Sequence, residues 1–266
     1  MKKYFPLIAF AGFLFTSCTK NSDINLPTGD SIPNTTAKLV KYIVSHSVGR
    51  PYHDSLTFTY DSLRRMTSLK SSWNDTTRAG GYGSETYSFS YTGINVKPDS
   101  YIYFYQNYND YTNSRVHLLD YKIPNYIFDS SITPYNYNNS QIQVTDNLVT
   151  YTYPNYSLLD SVCFDENKNA IQYIYYDHGR FLQKFTYSNS SYPNPIYNPY
   201  IGNILTQYLI GFGLMSKKLP DTQFIDDYDG IRTYTIEYAL NNWGSVQKSI
   251  TKEGNTVVNV TTYEYY

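Results

Sequence analysis

The sequence alternates aromatic and hydroxyl-bearing residues along many short segments, and this pattern restricts the fold more than any other feature. Residues 56–60 place Leu, Phe and Tyr at every second position with threonine between them, and residues 86–91, 149–153 and 234–238 alternate in the same way. Alternate side chains of a β-strand share a face, so each segment predicts a strand with one aromatic and one polar face. Burial of a single face is typical of antiparallel sheets.

The composition agrees with an all-β fold and excludes some functions. The chain contains 33 tyrosines in 266 residues, and charged residues make up only 16% of it. Tyrosine and threonine favour strands, and the aromatic rings provide a large surface to bury. The formal net charge of −1 gives no basic surface of the kind that binds nucleic acid, so we expect no nucleic-acid partner.

Turn signals separate the predicted strands. Residues 165–169, 177–180 and 252–255 combine Asp, Asn and Gly between two apolar runs, and these residue types accept the positive φ angles of tight hairpins. We therefore predict an all-β fold, an antiparallel hairpin meander of about ten to twelve strands that forms a barrel-like or strongly curved sheet.

One segment departs from this pattern. Residues 201–215 are mostly apolar, and Ile204, Leu205, Tyr208, Leu209 and Phe212 fall at helical spacing. The segment is too short to span a membrane as a helix. It predicts one short amphipathic helix that plugs or covers the sheet.

The N-terminus has the features of an export signal. Lys2 and Lys3 precede an apolar run over residues 5–15, which is too short to cross a hydrocarbon core of about 30 Å. The residues Thr16-Ser17-Cys18 that follow resemble the lipobox of bacterial lipoproteins. The resemblance implies lipidation of Cys18 and cleavage before it, while the alternative is an ordinary signal peptide with an incidental cysteine. Thr19 in place of Asp favours the outer membrane by the same resemblance.

These features divide the chain into three parts. We expect a signal peptide at residues 1–17, a lipidated and flexible tether at residues 18–37, and a single all-β domain at residues 38–266. The tether is rich in Pro, Asn and Thr and lacks apolar periodicity. The predicted location is the cell envelope, on either side of the outer membrane.

The order of these pieces resembles the DUF4595 family, uncharacterised lipoproteins of Bacteroidota with a porin-like fold. The resemblance is based on the lipobox, the repeated Tyr-x-Tyr strands, the Asn198-Pro199 loop, the apolar helix and the ending Thr262-Tyr263-Glu264-Tyr265. The hairpin at residues 173–182 also resembles the YD repeat of Rhs-type shells. The family implies a barrel-like antiparallel sheet and no assigned activity.

No catalytic motif and no cofactor signature occurs in the sequence. The histidines His46, His53, His117 and His178 form none of the usual metal-binding spacings. Lipidation of Cys18 leaves Cys163 without a disulfide partner, and its apolar strand context indicates a buried small hydrophobic residue. We therefore expect a protein that is not an enzyme and that holds no metal.

Aromatic residues are the remaining candidates for a binding site, because tyrosine and tryptophan rings stack on sugars while their polar atoms make orienting hydrogen bonds. The alternative is a barrel interior filled with tyrosine side chains. The candidate binding residues are Trp73, Tyr101, Tyr103, Tyr105, Tyr108 and Trp243.

Four functions remain open. The first is a non-enzymatic module, anchored to a membrane through lipid, that binds a polysaccharide or an envelope protein. The second is a structural or assembly component with no small-molecule site. The third is a glycan hydrolase. The fourth is a true membrane barrel, although tyrosine is spread along the strands and is not concentrated at two interfaces as in membrane barrels.

Overall fold

The computed structural model describes residues 38–75, 81–107, 112–122, 124, 126–132, 137–152, 160–177, 180–205, 213–227 and 230–266. Sixteen antiparallel strands form a single closed barrel in these residues. The first eight strands are β1 (Val40–Ser47), β2 (Tyr52–Tyr60), β3 (Met66–Asp75), β4 (Gly81–Ser90), β5 (Ser100–Asn107), β6 (Thr112–Asp120), β7 (Tyr126–Ile132) and β8 (Tyr137–Val144). The others are β9 (Leu148–Thr152), β10 (Asp160–Phe164), β11 (Ala170–Asp177), β12 (Arg180–Pro193), β13 (Lys218–Asp227), β14 (Gly230–Leu240), β15 (Val246–Glu253) and β16 (Thr256–Tyr265).

Each strand pairs with the strand next to it in the sequence, and β1 pairs with β16 to close the barrel. The all-β, antiparallel and barrel-like fold predicted above is confirmed. The barrel has more strands than the ten to twelve expected. Strand β8, for example, lacks the strict aromatic alternation, and only its pairing in the barrel identifies it.

One type of turn recurs at one end of the barrel. Asp61 Oδ1 accepts hydrogen bonds from the amides of residues 63 and 65, and Asp165 Oδ1 does the same for residues 167 and 169. Asn241 Oδ1 repeats the pattern with residues 243 and 245. The fourth residue of each turn has positive φ: Arg64 (63°), Lys168 (65°) and Gly244 (77°). The Asx side chain therefore organises the turn, and its sequence does not need a glycine.

The segment between β12 and β13 closes the same end of the barrel, which we call the plugged end. Helix α1 (Pro199–Ile204) starts at the N-cap Asn198, whose side chain accepts from the amide of Ile201, and a further helical turn covers residues 213–215. The prediction of a helical plug is confirmed. It is divided into two helical pieces in the described residues, and Tyr208, Leu209 and Phe212 of the predicted stripe lie outside them.

The barrel interior is packed in two apolar clusters. The first joins the strands β1–β5 to Ile201, Ile204, Leu205 and Leu214 of the plug, all fully buried. The second joins β7–β12 to Met215. Transfer of this apolar surface from water stabilises the fold by about 25 cal/mol per Å².

Four tyrosine side chains of the barrel donate hydrogen bonds from their hydroxyl groups to main-chain carbonyl oxygens. Tyr91 donates to Met66, Tyr121 to Pro98, Tyr238 to Pro220 and Tyr265 to Val246, at distances of 2.6–2.9 Å. Burial raises the pKa of all four hydroxyl groups above the ordinary tyrosine value. The rings therefore fill the interior as neutral donors, and the main-chain acceptor offsets the cost of burying each hydroxyl.

The opposite end differs in character, and we call it the polar end. It is the end at which β3 and β5 finish and β4 and β6 begin. Inward side chains near this end are only half-buried, among them Trp73, Glu85, Tyr105 and Arg115, whereas Tyr101 and Tyr87 deeper in the same strands are fully buried. Within the described residues, the inward side chains are therefore more exposed near the polar end than in the middle of the barrel.

Candidate functional site

Two aromatic side chains line the inner surface near the polar end. Trp73 of β3 and Tyr105 of β5 lie with their ring centroids 6.0 Å apart and tilted by 31°. They approach each other across β4 because Gly83 lies between their strands, opposite Trp73 in the register. A Cβ atom at Gly83 would lie only 2.8 Å from Cε2 of Trp73. The glycine therefore allows the indole to lie against the strand.

A carboxylate lies next to this pair. Glu85 of β4 is opposite Tyr105 in the register, and its two oxygens accept hydrogen bonds from the hydroxyl groups of Tyr87 (2.9 Å) and Tyr103 (3.3 Å). Burial raises the pKa of the Tyr103 hydroxyl above its ordinary value, and the adjacent Glu85 raises it further. Tyr103 therefore remains a neutral donor that holds the carboxylate in place.

The guanidinium group of Arg115 lies at the same height in the barrel as Tyr103 and Glu85. Arg115 of β6 is opposite Tyr103 in the register and points inward. Its Nε atom is buried and has no hydrogen-bond partner in the described structure. A buried donor of this kind is rarely left unsatisfied, so water or a ligand atom is expected beside it.

A buried network lies one level deeper. His117 Nδ1 lies 2.8 Å from Asp129 Oδ1, and the Tyr101 hydroxyl donates to Asp129 Oδ2 at 3.0 Å. The imidazole stacks on the Tyr101 ring at 4.1 Å, and the Ser140 hydroxyl donates to the main-chain oxygen of Asp129 at 3.4 Å. With 4% exposure for His117 and 1% for Asp129, the pair belongs to the interior. His117 Nε2 has no partner among the described residues.

The structure brings together three of the predicted binding residues and separates the others. Trp73, Tyr103 and Tyr105 lie on the same inner surface, with Tyr101 below them in the buried network. Trp243 is exposed in the turn between β14 and β15, at the plugged end. Tyr108 and Cys18 lie outside the described residues. Cys163 is buried and forms no disulfide, as its strand context predicted.

Sequence reasoning missed four residues of this site: Glu85, Arg115, His117 and Asp129. The segment Arg115-Val116-His117-Leu118 alternates polar and apolar residues, as a strand with one buried face does, but its apolar residues favour the opposite orientation. Val116 and Leu118 are exposed in the structure, while Arg115 and His117 point inward. The sequence signal that could have identified Arg115 and His117 is the polar residue at every second position, Asn113, Arg115 and His117, which share one face of the strand.

The described part of the inner surface holds no recognisable metal site. No group of three or more His, Cys, Asp or Glu side chains converges within the described residues. No helix in this part of the chain is long and apolar enough to cross a membrane.

A separate cleft of about 480 Å³ lies at the plugged end, between the turn at residues 165–169 and the start of β13. Lys217, Lys218 and Asn169 are among its lining residues, and Asn169 Oδ1 is buried without a partner in the described structure. None of the predicted binding residues lines it.

Comparison with known proteins gives a similarity of fold. A porin-like protein from Bacteroides uniformis superposes with a TM-score of 0.51 at 13% identity, over 85% of this chain and 98% of that one. A porin-like protein from Bacteroides vulgatus gives a TM-score of 0.38 at 10% identity, over 86% and 99% of the two chains. No protein-family model and no curated protein matches the sequence. The first neighbour supports the porin-like fold, and membership of the DUF4595 family stays a prediction.

Proposed function

We propose that this protein is an outer-membrane lipoprotein, anchored through Cys18, whose barrel interior binds a glycan without enzymatic activity. The observation that carries the proposal is the half-buried Trp73–Tyr105 pair on the inner surface near the polar end. Aromatic faces that remain accessible to solvent inside a concave surface are suited to stacking on sugar rings.

The polar groups around the pair support this ligand class. Glu85 accepts from sugar hydroxyl groups, and Arg115 donates to their oxygen atoms. The tyrosine hydroxyls of Tyr87 and Tyr103 hold Glu85 in one orientation before any ligand arrives. Preorganised polar groups lower the entropic cost of binding.

The polar outer surface of β13–β15 favours a barrel that is surrounded by water over one that is embedded in lipid. Lys252 bonds to Glu237 there, and Thr233, Thr235 and Lys248 are exposed. A strand surface facing lipid would cost about 2–4 kcal/mol for each lysine at mid-membrane depth. Attachment through a lipid on Cys18 is compatible with such a barrel.

The chain has only two tryptophans, which makes the glycan proposal testable by fluorescence. The test protein begins at residue 18, carries Cys18→Ser to prevent lipidation, and carries Trp243→Phe so that Trp73 is the only tryptophan. Glycans that bind on an array are then titrated. We expect a change in Trp73 emission and weaker acrylamide quenching.

The matched variants are Tyr105→Ala at the proposed site and Trp243→Ala at the plugged end. We expect Tyr105→Ala to weaken binding by about tenfold, since stacking contributes on the order of 1–2 kcal/mol, and Trp243→Ala to leave it unchanged. Absence of binding to any glycan on the array would refute this part of the proposal.

The anchor has a separate test. Cells expressing the full chain are fed a clickable palmitate analogue, and the wild-type protein is compared with Cys18→Ser. Label on the wild type alone, together with fractionation into the outer membrane, is the expected result. Equal label on both, or on neither, contradicts lipidation of Cys18.

A structural role within an envelope assembly is the second candidate, supported by an exposed apolar patch on β5 and β6. Ile102, Phe104, Val116 and Leu118 all point outward and are 38–49% exposed, and Ile102 is opposite Val116 in the register. Contiguous exposed apolar surface marks sites of protein contact. Crosslinking in cells from a photoreactive residue at position 104, with position 235 as control, should recover one reproducible partner if this role is correct.

A further inference from the structure

The rim of the plugged end combines exposed apolar side chains with lysines. Ile94, in the turn between β4 and β5, is 84% exposed, and Trp243 is 71% exposed. Leu63 in the turn between β2 and β3 is also exposed. In the barrel order these turns follow one another from β14 to β5, with β16 and β1 between them. They therefore form one continuous arc of the rim, which we call the apolar arc.

Contacts between neighbouring turns hold the apolar arc together. Arg65 donates to the main-chain oxygens of Gly93 and Asn95, which links the turn of Leu63 to that of Ile94. Lys38 lies over the Trp243 ring at 5.3 Å and donates to the Tyr266 carbonyl oxygen at 3.3 Å. The exposed side chains are thus carried on a fixed rim.

The cations of the arc are only partly neutralised by carboxylates, among which Asp99 lies in the same turn as Lys97. Lys41 pairs with Glu264, and Arg65 pairs with Asp61, so these cations are neutralised locally. Lys38 contacts the Trp243 ring, and Lys97 lies over the rings of Tyr121 and Tyr200. Neither lysine has an acidic side chain bonded to it within the described residues. A lysine beside an exposed tryptophan and an isoleucine is the combination found at membrane interfaces.

The path of the chain places the N-terminal segment at the same rim. β1 runs from Val40 at the plugged end to Ser47 at the polar end, so residues 1–37 join the barrel next to the apolar arc. On the function proposed above, the lipid on Cys18 would hold this rim close to a bilayer.

We propose that the apolar arc rests on the surface of a phospholipid bilayer, with Trp243 and Ile94 inserted at the headgroup level and Lys38 and Lys97 facing anionic headgroups. The polar end and its glycan site then face away from that bilayer. The arrangement supplies a second, non-covalent contact beside the lipid chain, and stable attachment commonly requires two such signals.

The polar end provides a matched control. Ile231 is also strongly exposed, at 73%, but it lies opposite Asp226 in the register of β13 and β14. A carboxylate beside an apolar residue disfavours contact with anionic lipid. Ile231→Ser therefore removes a similar apolar surface from the wrong end of the barrel.

The experiment uses the chain from residue 18 with Cys18→Ser, so that no acyl group contributes. It is sedimented with sucrose-loaded vesicles of phosphatidylethanolamine and phosphatidylglycerol, and with vesicles of phosphatidylcholine alone. We expect partition into the first vesicles, weakened by added salt, and about a tenfold loss for each of Trp243→Ser and Ile94→Ser. Ile231→Ser should partition like the wild type.

A second measurement reports insertion directly. With Trp73→Phe, Trp243 is the only tryptophan, and its emission should shift to shorter wavelength when the phosphatidylglycerol vesicles are added. The proposal is overturned if the protein does not partition, if Ile231→Ser weakens partition as much as Ile94→Ser, or if Trp243 emission does not move. Because neither lipidation nor glycan enters these measurements, their failure is distinguishable from failure of the proposed function.

Discussion

At the residue scale, local hydrogen bonding determines where the backbone adopts a left-handed conformation. The three equivalent turns at Asp61, Asp165 and Asn241 all require positive φ at their fourth residue, and two of them place Arg or Lys there. A residue with a Cβ atom in this conformation costs about 1–2 kcal/mol. The Asx hydrogen bonds to two amides offset that cost.

Gly244 allows this cost to be measured. The position has φ of +77°, and a Cβ atom there meets nothing within 4 Å, so Gly244→Ala changes backbone strain without a clash. We expect a loss of about 1–2 kcal/mol in the free energy of unfolding by urea denaturation. Gly213→Ala lies in a helical turn with its nearest neighbour at 3.9 Å, and it should be neutral or stabilising by up to about 1 kcal/mol. Equal effects of the two changes would contradict this account.

Asp61 should give the barrel a pH-dependent contribution to stability. Burial opposes its ionisation, but hydrogen bonds from the Arg65 backbone and side chain outweigh this and hold the pKa of Asp61 below its ordinary value. A carboxyl whose pKa is depressed by folding stabilises the protein above its unfolded pKa of about 4. That contribution is lost as the pH falls through the lower folded value.

Thermal unfolding of the wild type and Asp61→Asn should therefore diverge most at neutral pH. The difference in midpoint should shrink as the pH is lowered below about 4, because the wild-type carboxyl becomes protonated there. A difference that stays constant from neutral to acidic pH would mean that the charge of Asp61 contributes nothing to stability.

At the element scale, strand β6 shows what an alternating pattern leaves undecided. Its sequence alternates polar and apolar residues, yet Val116 and Leu118 face solvent while Arg115 and His117 face the interior. The orientation is imposed by the register with β5, where Tyr101 and Tyr103 must bury their rings. A shift of one residue in β6 would exchange all its side chains between the two faces.

The plug depends on one buried amide. Asn194 Nδ2 donates to the main-chain oxygens of Gly213 (2.7 Å) and Ser216 (2.8 Å), and its Oδ1 accepts from the amide of Ile196 (3.2 Å). Three backbone groups on both sides of the plug are thereby satisfied by one side chain. Asn194 is itself buried.

Asn194→Ala should destabilise the barrel by about 2–3 kcal/mol, because two carbonyl groups and one amide lose their partner in a buried position. Asn242→Ala is the control, since Asn242 is exposed in a turn at the same end and should change stability by less than about 0.5 kcal/mol. Chemical denaturation followed by far-UV circular dichroism measures both. Similar stability of the two variants would contradict the role assigned to Asn194.

At the scale of the whole molecule, closure depends on a pairing between the two ends of the domain. The strand β1 pairs with β16 over residues such as Ile43 and Tyr263, although all other strand pairs are neighbours in the sequence. A barrel has no free strand edges once this last pair has formed.

A chain that ends at Glu253 should therefore fail to close. Its β1 and β15 would both keep an unpaired edge, so we expect loss of the near-UV signal of buried tyrosines, non-cooperative unfolding and self-association by analytical ultracentrifugation. A chain that begins at Lys38 keeps all sixteen strands and should unfold cooperatively. A cooperative, monomeric protein without β16 would show that the closing pair is dispensable.

The candidate site could be predicted only in part. The aromatic residues were found because their side-chain type is informative, and Trp73, Tyr103 and Tyr105 do lie together. Glu85, Arg115, His117 and Asp129 come from three different strands, β4, β6 and β7, and only Arg115 and His117 are close in the sequence. Their proximity follows from the registers of β4–β7.

The repeated aromatic and hydroxyl alternation by itself determined that the chain forms antiparallel strands with one buried face, because the period of two is a property of the extended backbone and survives in any tertiary context. It did not determine the number of strands, the closure of β1 on β16, or which face of β6 turns inward. Those depend on pairings between distant residues, whose free energy comes from burial that exists only after the sheet has closed. The plug, the apolar arc on one rim and the half-buried tryptophan near the other are consequences of that closure.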